Sequence, residues 1–149
     1  KAVIAIFLIT QIVISVLVLG AYSNPTLRTW SNTISQLGDY TKKSNAQIAV
    51  IDWGIANQLR AFDPIPGKYT EIFWNIRTTQ DAENNINQFI DTCRRTCLFI
   101  TYDNGEDYIM TRGLKSVILS RNLEVSESYF LDDDRKQYVV FEVFNRENN

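Results

Sequence analysis

The feature that most constrains this chain is the stretch Ala46-Gln47-Ile48-Ala49-Val50-Ile51-Asp52-Trp53-Gly54-Ile55-Ala56-Asn57-Gln58-Leu59, an apolar run that breaks at an acid and a glycine and then resumes. The mostly β-branched run from Ile48 to Ile51 suits a strand buried on both faces, and Ile55, Leu59 and Phe62 recur at helical spacing. Asp52-Trp53-Gly54 is then the turn between the first strand and first helix of an α/β domain. Ligands of open α/β sheets gather at the carboxyl ends of strands, so this turn is the place to look for function. A lone Gly54 without a second or third glycine does not make a phosphate loop.

Residues 2–22 carry no charge and are mainly Ile, Val, Leu, Phe and Ala. About 20 such residues, at 1.5 Å rise each, span the ~30 Å hydrocarbon layer, which predicts a transmembrane helix over residues 1–23. A signal peptide is the alternative, but the run exceeds the usual ~7 to 15 residue core and no small-x-small cleavage site follows it. Gln11 would lie near mid-bilayer, where an amide seeks a partner on another helix. Asn24-Pro25 reads as a helix start, with Trp30, Ile34 and Leu37 on one face of a juxtamembrane helix and a linker reaching residue 45. Residues 46–149 form the soluble α/β domain. The chain begins at Lys1 and its one methionine is Met110, so it reads as part of a longer or processed protein.

Past the first helix, Asp63-Pro64-Ile65-Pro66-Gly67 is a loop, and Tyr69 to Trp74 reads as a second strand. Asp81 to Arg95 is a helix with Ile86, Phe89, Ile90 and Cys93 on one stripe. Cys97 to Tyr102 is a third strand, and Glu106 to Asn122 a helix with Met110, Leu114 and Val117 inward and Gly113 as its weak point. Val125–Leu131 and Gln137–Asn145 form a hairpin around Asp132-Asp133-Asp134-Arg135-Lys136. In the second arm Val139, Phe141 and Val143 face one way and Tyr138, Val140, Glu142 and Phe144 the other. The alternation predicts an α/β fold: an N-terminal transmembrane helix, then a small three-layer, mostly parallel, Rossmann-like sheet closed by an antiparallel hairpin.

Fifteen basic and 17 acidic residues give a net charge of -2 with no block of either sign, so nucleic acid is not expected as a partner. No histidine is present, which removes Ser-His and Cys-His nucleophile pairs and leaves carboxylates as the available acids and bases. Asp52 and Asp103 each follow a buried strand. Either they hold Mg²⁺ for a phosphorylated ligand, or each accepts hydrogen bonds from the turn or helix start that follows, the commoner use. Asp132-Asp133-Asp134 lacks the glycine and distal glutamate of a calcium loop and reads as a solvated turn. Cys93 and Cys97 are either a disulfide in an oxidising compartment or two buried thiols. Trp53 and Trp74 either stack on a sugar or base, or fill the core or a domain contact, which is the more frequent use of so large a side chain.

The layout of a membrane helix, a short juxtamembrane helix, Val50-Ile51-Asp52-Trp53-Gly54 followed by Asn57-Gln58, and a compact α/β domain closing in a hairpin resembles the C-terminal end of bacterial multi-pass membrane glycosyltransferases of the protein O-mannosyltransferase and aminoarabinose-transferase group. The resemblance implies transfer of a sugar from a polyprenyl-phosphate carrier to an acceptor, with inversion, by a hexosyltransferase-type enzyme. It implies an extracytoplasmic soluble domain with a structural or substrate-positioning role. Expected partners are the lipid bilayer, the carrier-linked sugar, the acceptor and the remaining transmembrane helices. The family's catalytic carboxylates belong to a region that this sequence does not contain, so no catalytic residue, metal ligand or cofactor is assigned. The ligand-binding candidates are Asp52, Trp53, Asn57 and Asp103. The competing reading is a single-pass, membrane-anchored α/β binding module without catalytic activity.

Overall fold

The computed structural model describes residues 10–16, 32–93, 96–103, 108–132 and 135–144, and the chain divides into two units, Lys1–Ser31 and Asn32–Asn149. In the first unit residues 10–16 form a helix, α1, whose side chains are exposed. Among the described residues no helix is long and apolar enough to cross a membrane, so the expected transmembrane helix over 1–23 is not supported. The remainder of that segment, with Tyr22, Asn24-Pro25 and Trp30, lies outside the described residues.

The second unit runs α2 (Asn32–Lys43), β1 (Gln47–Val50), α3 (Ile55–Phe62), β2 (Tyr69–Glu71), α4 (Thr79–Thr92), β3 (Thr96–Tyr102), α5 (Ile109–Ser120), β4 (Glu124–Asp132) and β5 (Arg135–Phe144). One five-stranded sheet has the order β2-β1-β3-β5-β4. β1 pairs in parallel with β2 and β3, while β5 runs antiparallel to both β3 and β4. The expectation of a mostly parallel, Rossmann-like sheet is therefore wrong. β1 and β2 have only 4 and 3 residues, whereas β4 and β5 have 9 and 10, so most of the paired length is antiparallel. The second expected strand, Tyr69 to Trp74, stops at Glu71, because the chain turns through Trp74 and Asn75, the latter at φ 63°.

The two cores on either side of the sheet follow from the alternation of side chains along each strand. On one face Ala49, Ile51, Phe99, Val139, Phe141 and Val143 meet Ile86, Phe89 and Ile90 of α4 and Met110, Leu114 and Val117 of α5. On the other, Ile48, Val50, Leu98, Ile100, Tyr138 and Val140 meet Ile55 and Leu59 of α3 and Ile34 and Leu37 of α2. The stripe that was expected to lie at a membrane surface is thus, in α2, part of the domain core. Phe62, expected inward, is 40% exposed at the end of α3.

Three local features fix the helices. Thr78 caps α4 in a capping box: its hydroxyl accepts the Asp81 N–H at 3.1 Å, and the Asp81 carboxylate accepts the Thr78 N–H at 2.9 Å. Gly113 is a contact point and not a weak point, because a Cβ there would lie 2.7 Å from the Ala82 Cβ, so α4 and α5 approach as closely as they do only with glycine. Cys93, the residue after α4, is joined by a disulfide to Cys97 in β3, with a Cα separation of 5.9 Å. Of the two readings of this cysteine pair, the bonded one holds.

Candidate functional site

The carboxyl ends of β1, β2 and β3 lie along one edge of the sheet. After β1, the Ile51 amide still donates to the Ile100 carbonyl at 2.9 Å, and the chain then leaves the sheet. Asp52 Oδ1 accepts the Trp53 N–H at 2.7 Å, and Gly54, at φ 84°, turns the backbone through the left-handed region into α3. Only glycine takes that conformation without strain. Asp52 therefore bonds within the turn, and the N-cap of α3 is Gly54 with no side-chain cap bond.

Beside this turn stand three tyrosines. Tyr108, at the start of α5, donates its hydroxyl to the Ile51 carbonyl at 2.8 Å, tying that helix to the end of β1. Tyr102, the last residue of β3, is registered with Tyr138 of β5, and their rings lie 5.2 Å apart at 32°. Tyr138 donates to Gln58 Oε1 at 3.1 Å, and Gln58 Nε2 reaches the Tyr102 hydroxyl at 3.5 Å. Burial, reinforced by the Asp52 carboxylate, pushes the Tyr108 hydroxyl up to about 12 from the usual 10. Burial likewise raises Tyr102, with a further upward push from Asp52. Both hydroxyls are protonated, and therefore donors, at neutral pH.

The four expected ligand-binding residues are placed unequally. Asp52 and Trp53 sit in the turn, Trp53 with 70% of its surface exposed. Asn57 is exposed on the next turn of α3, where its Oδ1 accepts from Arg60 Nη1 at 3.2 Å. Asp103 is exposed beyond β3 and acts on Tyr129 of β4, whereas Asp52 acts on Tyr102 and Tyr108. The two carboxylates thus have different neighbours. Among the described residues no group of three or more metal-ligating side chains occurs.

Trp74 differs from the core role that its size suggested. It is 53% exposed, its indole N–H donates to Glu71 Oε2 at 3.1 Å, and its ring lies 4.7 Å from the half-buried Phe73 at a tilt of 36°. Sequence reasoning left Trp74 and the three tyrosines out of the site. A signal for Trp74 was present in the repeated pattern Ile51-Asp52-Trp53-Gly54-Ile55 and Ile72-Phe73-Trp74-Asn75-Ile76.

A separate groove of about 520 Å³ runs along β2 beside α4, lined by Gln47, Thr70, Asn85, Gln88, Phe89 and Thr92 among others. Its charged lining residues are Lys68, bonded to Asp63, and Glu71, bonded to Trp74 and Arg60. Comparison with known proteins finds no family model, no curated relative and no solved structure that matches this chain.

Proposed function

We propose that the domain is the extracytoplasmic, substrate-positioning part of a glycosyltransferase that moves a sugar from a polyprenyl-phosphate carrier to an acceptor, with its catalytic carboxylates in a region outside this sequence. The observation that carries this reading is the composition of the carboxyl edge. It presents an exposed indole and a carboxylate, groups that hold a polyhydroxyl substrate by stacking and hydrogen bonding. Such a set orients a substrate without supplying the nucleophile or metal that a complete active site needs. The Cys93–Cys97 disulfide supports placement on the oxidising side of a membrane, since such bonds persist in oxidising compartments.

The test is a transfer assay with the complete gene product, polyprenyl-phosphate mannose as donor and separated products. Sugar transfer is expected, with Asp52→Asn raising KM for the acceptor and leaving kcat within about twofold, the signature of lost uniform binding. No transfer from any polyprenyl-phosphate sugar to protein or lipid acceptors contradicts the reading.

A further inference from the structure

We infer that Trp53 and Trp74 form a paired aromatic platform at the carboxyl edge of the sheet that binds the pyranose rings of a neutral oligosaccharide. The inference deepens the proposed function and rests on it for the role of the bound glycan. Four observations converge on it.

Val50 and Glu71 are registered partners on adjacent parallel strands, and the two tryptophans stand equally far beyond them. Each lies in a copy of the same five-residue pattern, and each is followed by a left-handed residue, Gly54 at φ 84° and Asn75 at φ 63°. The two turns thus leave the sheet at the same level with the same kind of backbone reversal. A large indole gains free energy by burial, yet these two are 70% and 53% exposed in a domain whose other strand-end residues Ile51 and Ile72 are buried.

The Trp74 ring and the Trp53 backbone are also held in place. Glu71 takes the Trp74 indole N–H and Phe73 backs its ring, while Asp52 pins the Trp53 amide. A preorganised ring loses little entropy when a ligand stacks on it, as a binding platform requires. The charged groups around the rings select the ligand. Asp52 and Glu71 are acidic, and the cation beside Glu71 is engaged: Arg60 lies 3.5 Å from Glu71 and bonds the Tyr69 carbonyl. Carboxylates beside an indole accept hydroxyl protons and repel phosphate, which favours a neutral sugar over a nucleotide, a nucleic acid or an anionic lipid surface.

The experiment follows the indole N–H signals of Trp53 and Trp74 by NMR in the full 149-residue chain, assigned with single Trp→Phe variants. Mannotetraose, cellotetraose and chitotetraose are titrated separately, and vesicles of phosphatidylcholine or phosphatidylglycerol form a second series. Saturable shifts of both signals with at least one tetrasaccharide are expected. Trp53→Ala and Trp74→Ala should each weaken that binding about threefold to tenfold, the worth of one aromatic contact, with unchanged circular dichroism. No shift with any of the three sugars overturns the platform, as does binding that persists in the double variant. Perturbation by vesicles alone overturns it in favour of a membrane-docking edge. Failure of sugar binding with intact transfer by the complete gene product removes the platform and leaves the transferase reading, whereas binding without transfer does the reverse.

Discussion

Strands β1 and β2 have 4 and 3 residues and strands β4 and β5 have 9 and 10, yet all four belong to one sheet. The long hairpin is held by its own ladder, and β4 leaves Val125, Tyr129 and Leu131 exposed on one face. The short parallel strands have few ladder bonds and depend on side chains to hold their ends. Arg60 Nη2 donates to the Tyr69 carbonyl at 3.0 Å, and Asn85 Nδ2 to the Ile72 carbonyl at 2.9 Å. The difference separates frame from site: the hairpin half supplies rigid pairing, and the parallel half ends early enough to present its turns.

Breaking the frame gives the largest effect. Phe141 of β5 is buried in the core shared by β1, β3, α4 and α5, so Phe141→Ala should cost about 3 to 5 kcal/mol. Urea denaturation should show the midpoint of the whole transition falling with its slope retained; loss of β2 alone would contradict a shared frame. Opening the Cys93–Cys97 bond at the α4–β3 junction removes a short chain loop and should cost about 2 kcal/mol. Thermal unfolding with and without dithiothreitol measures this, and no change on verified reduction would make the bond irrelevant to the frame.

The smallest effect concerns Tyr108, which joins α5 to the end of β1. Its folded-state pKa is raised to about 12 from 10, so the folded protein holds this proton more tightly than the unfolded chain. The associated stability is complete below pH 10 and is lost as pH rises from 10 to 12. The late-titrating part of the tyrosinate absorbance should fall by one group in Tyr108→Phe, and that variant should lose less stability over the same interval.

Much of the frame was legible in the sequence because burial writes itself as periodicity. The two faces of β5, the inward stripe of α4 and the strand–turn–helix at Ile48–Leu59 all came from residue spacing. The balance of parallel to antiparallel pairing did not, because strand length depends on partners: Tyr69 to Trp74 is apolar enough for a longer strand but is ended by the turn at Asn75. Gly113 looked like a defect because its partner, Ala82, is remote in sequence. Asp52 and Trp53 were placed in the turn after β1 because a turn after a buried strand is a local signal. The placing of Tyr102, Tyr108 and Tyr138 beside that turn was not legible, because three chain segments bring them there, and the exposure of Trp74 was not, because its size argued for burial.

The division into frame and site is tested most directly by amide hydrogen exchange under native conditions, run with and without a saturating tetrasaccharide. Amides of β3 and β5 are expected to exchange slowest and to be insensitive to the sugar. Amides of residues 51–55 and 72–76 should exchange faster and become protected when it is bound. Equal protection in both halves, or sugar-dependent protection confined to the hairpin, would contradict that division.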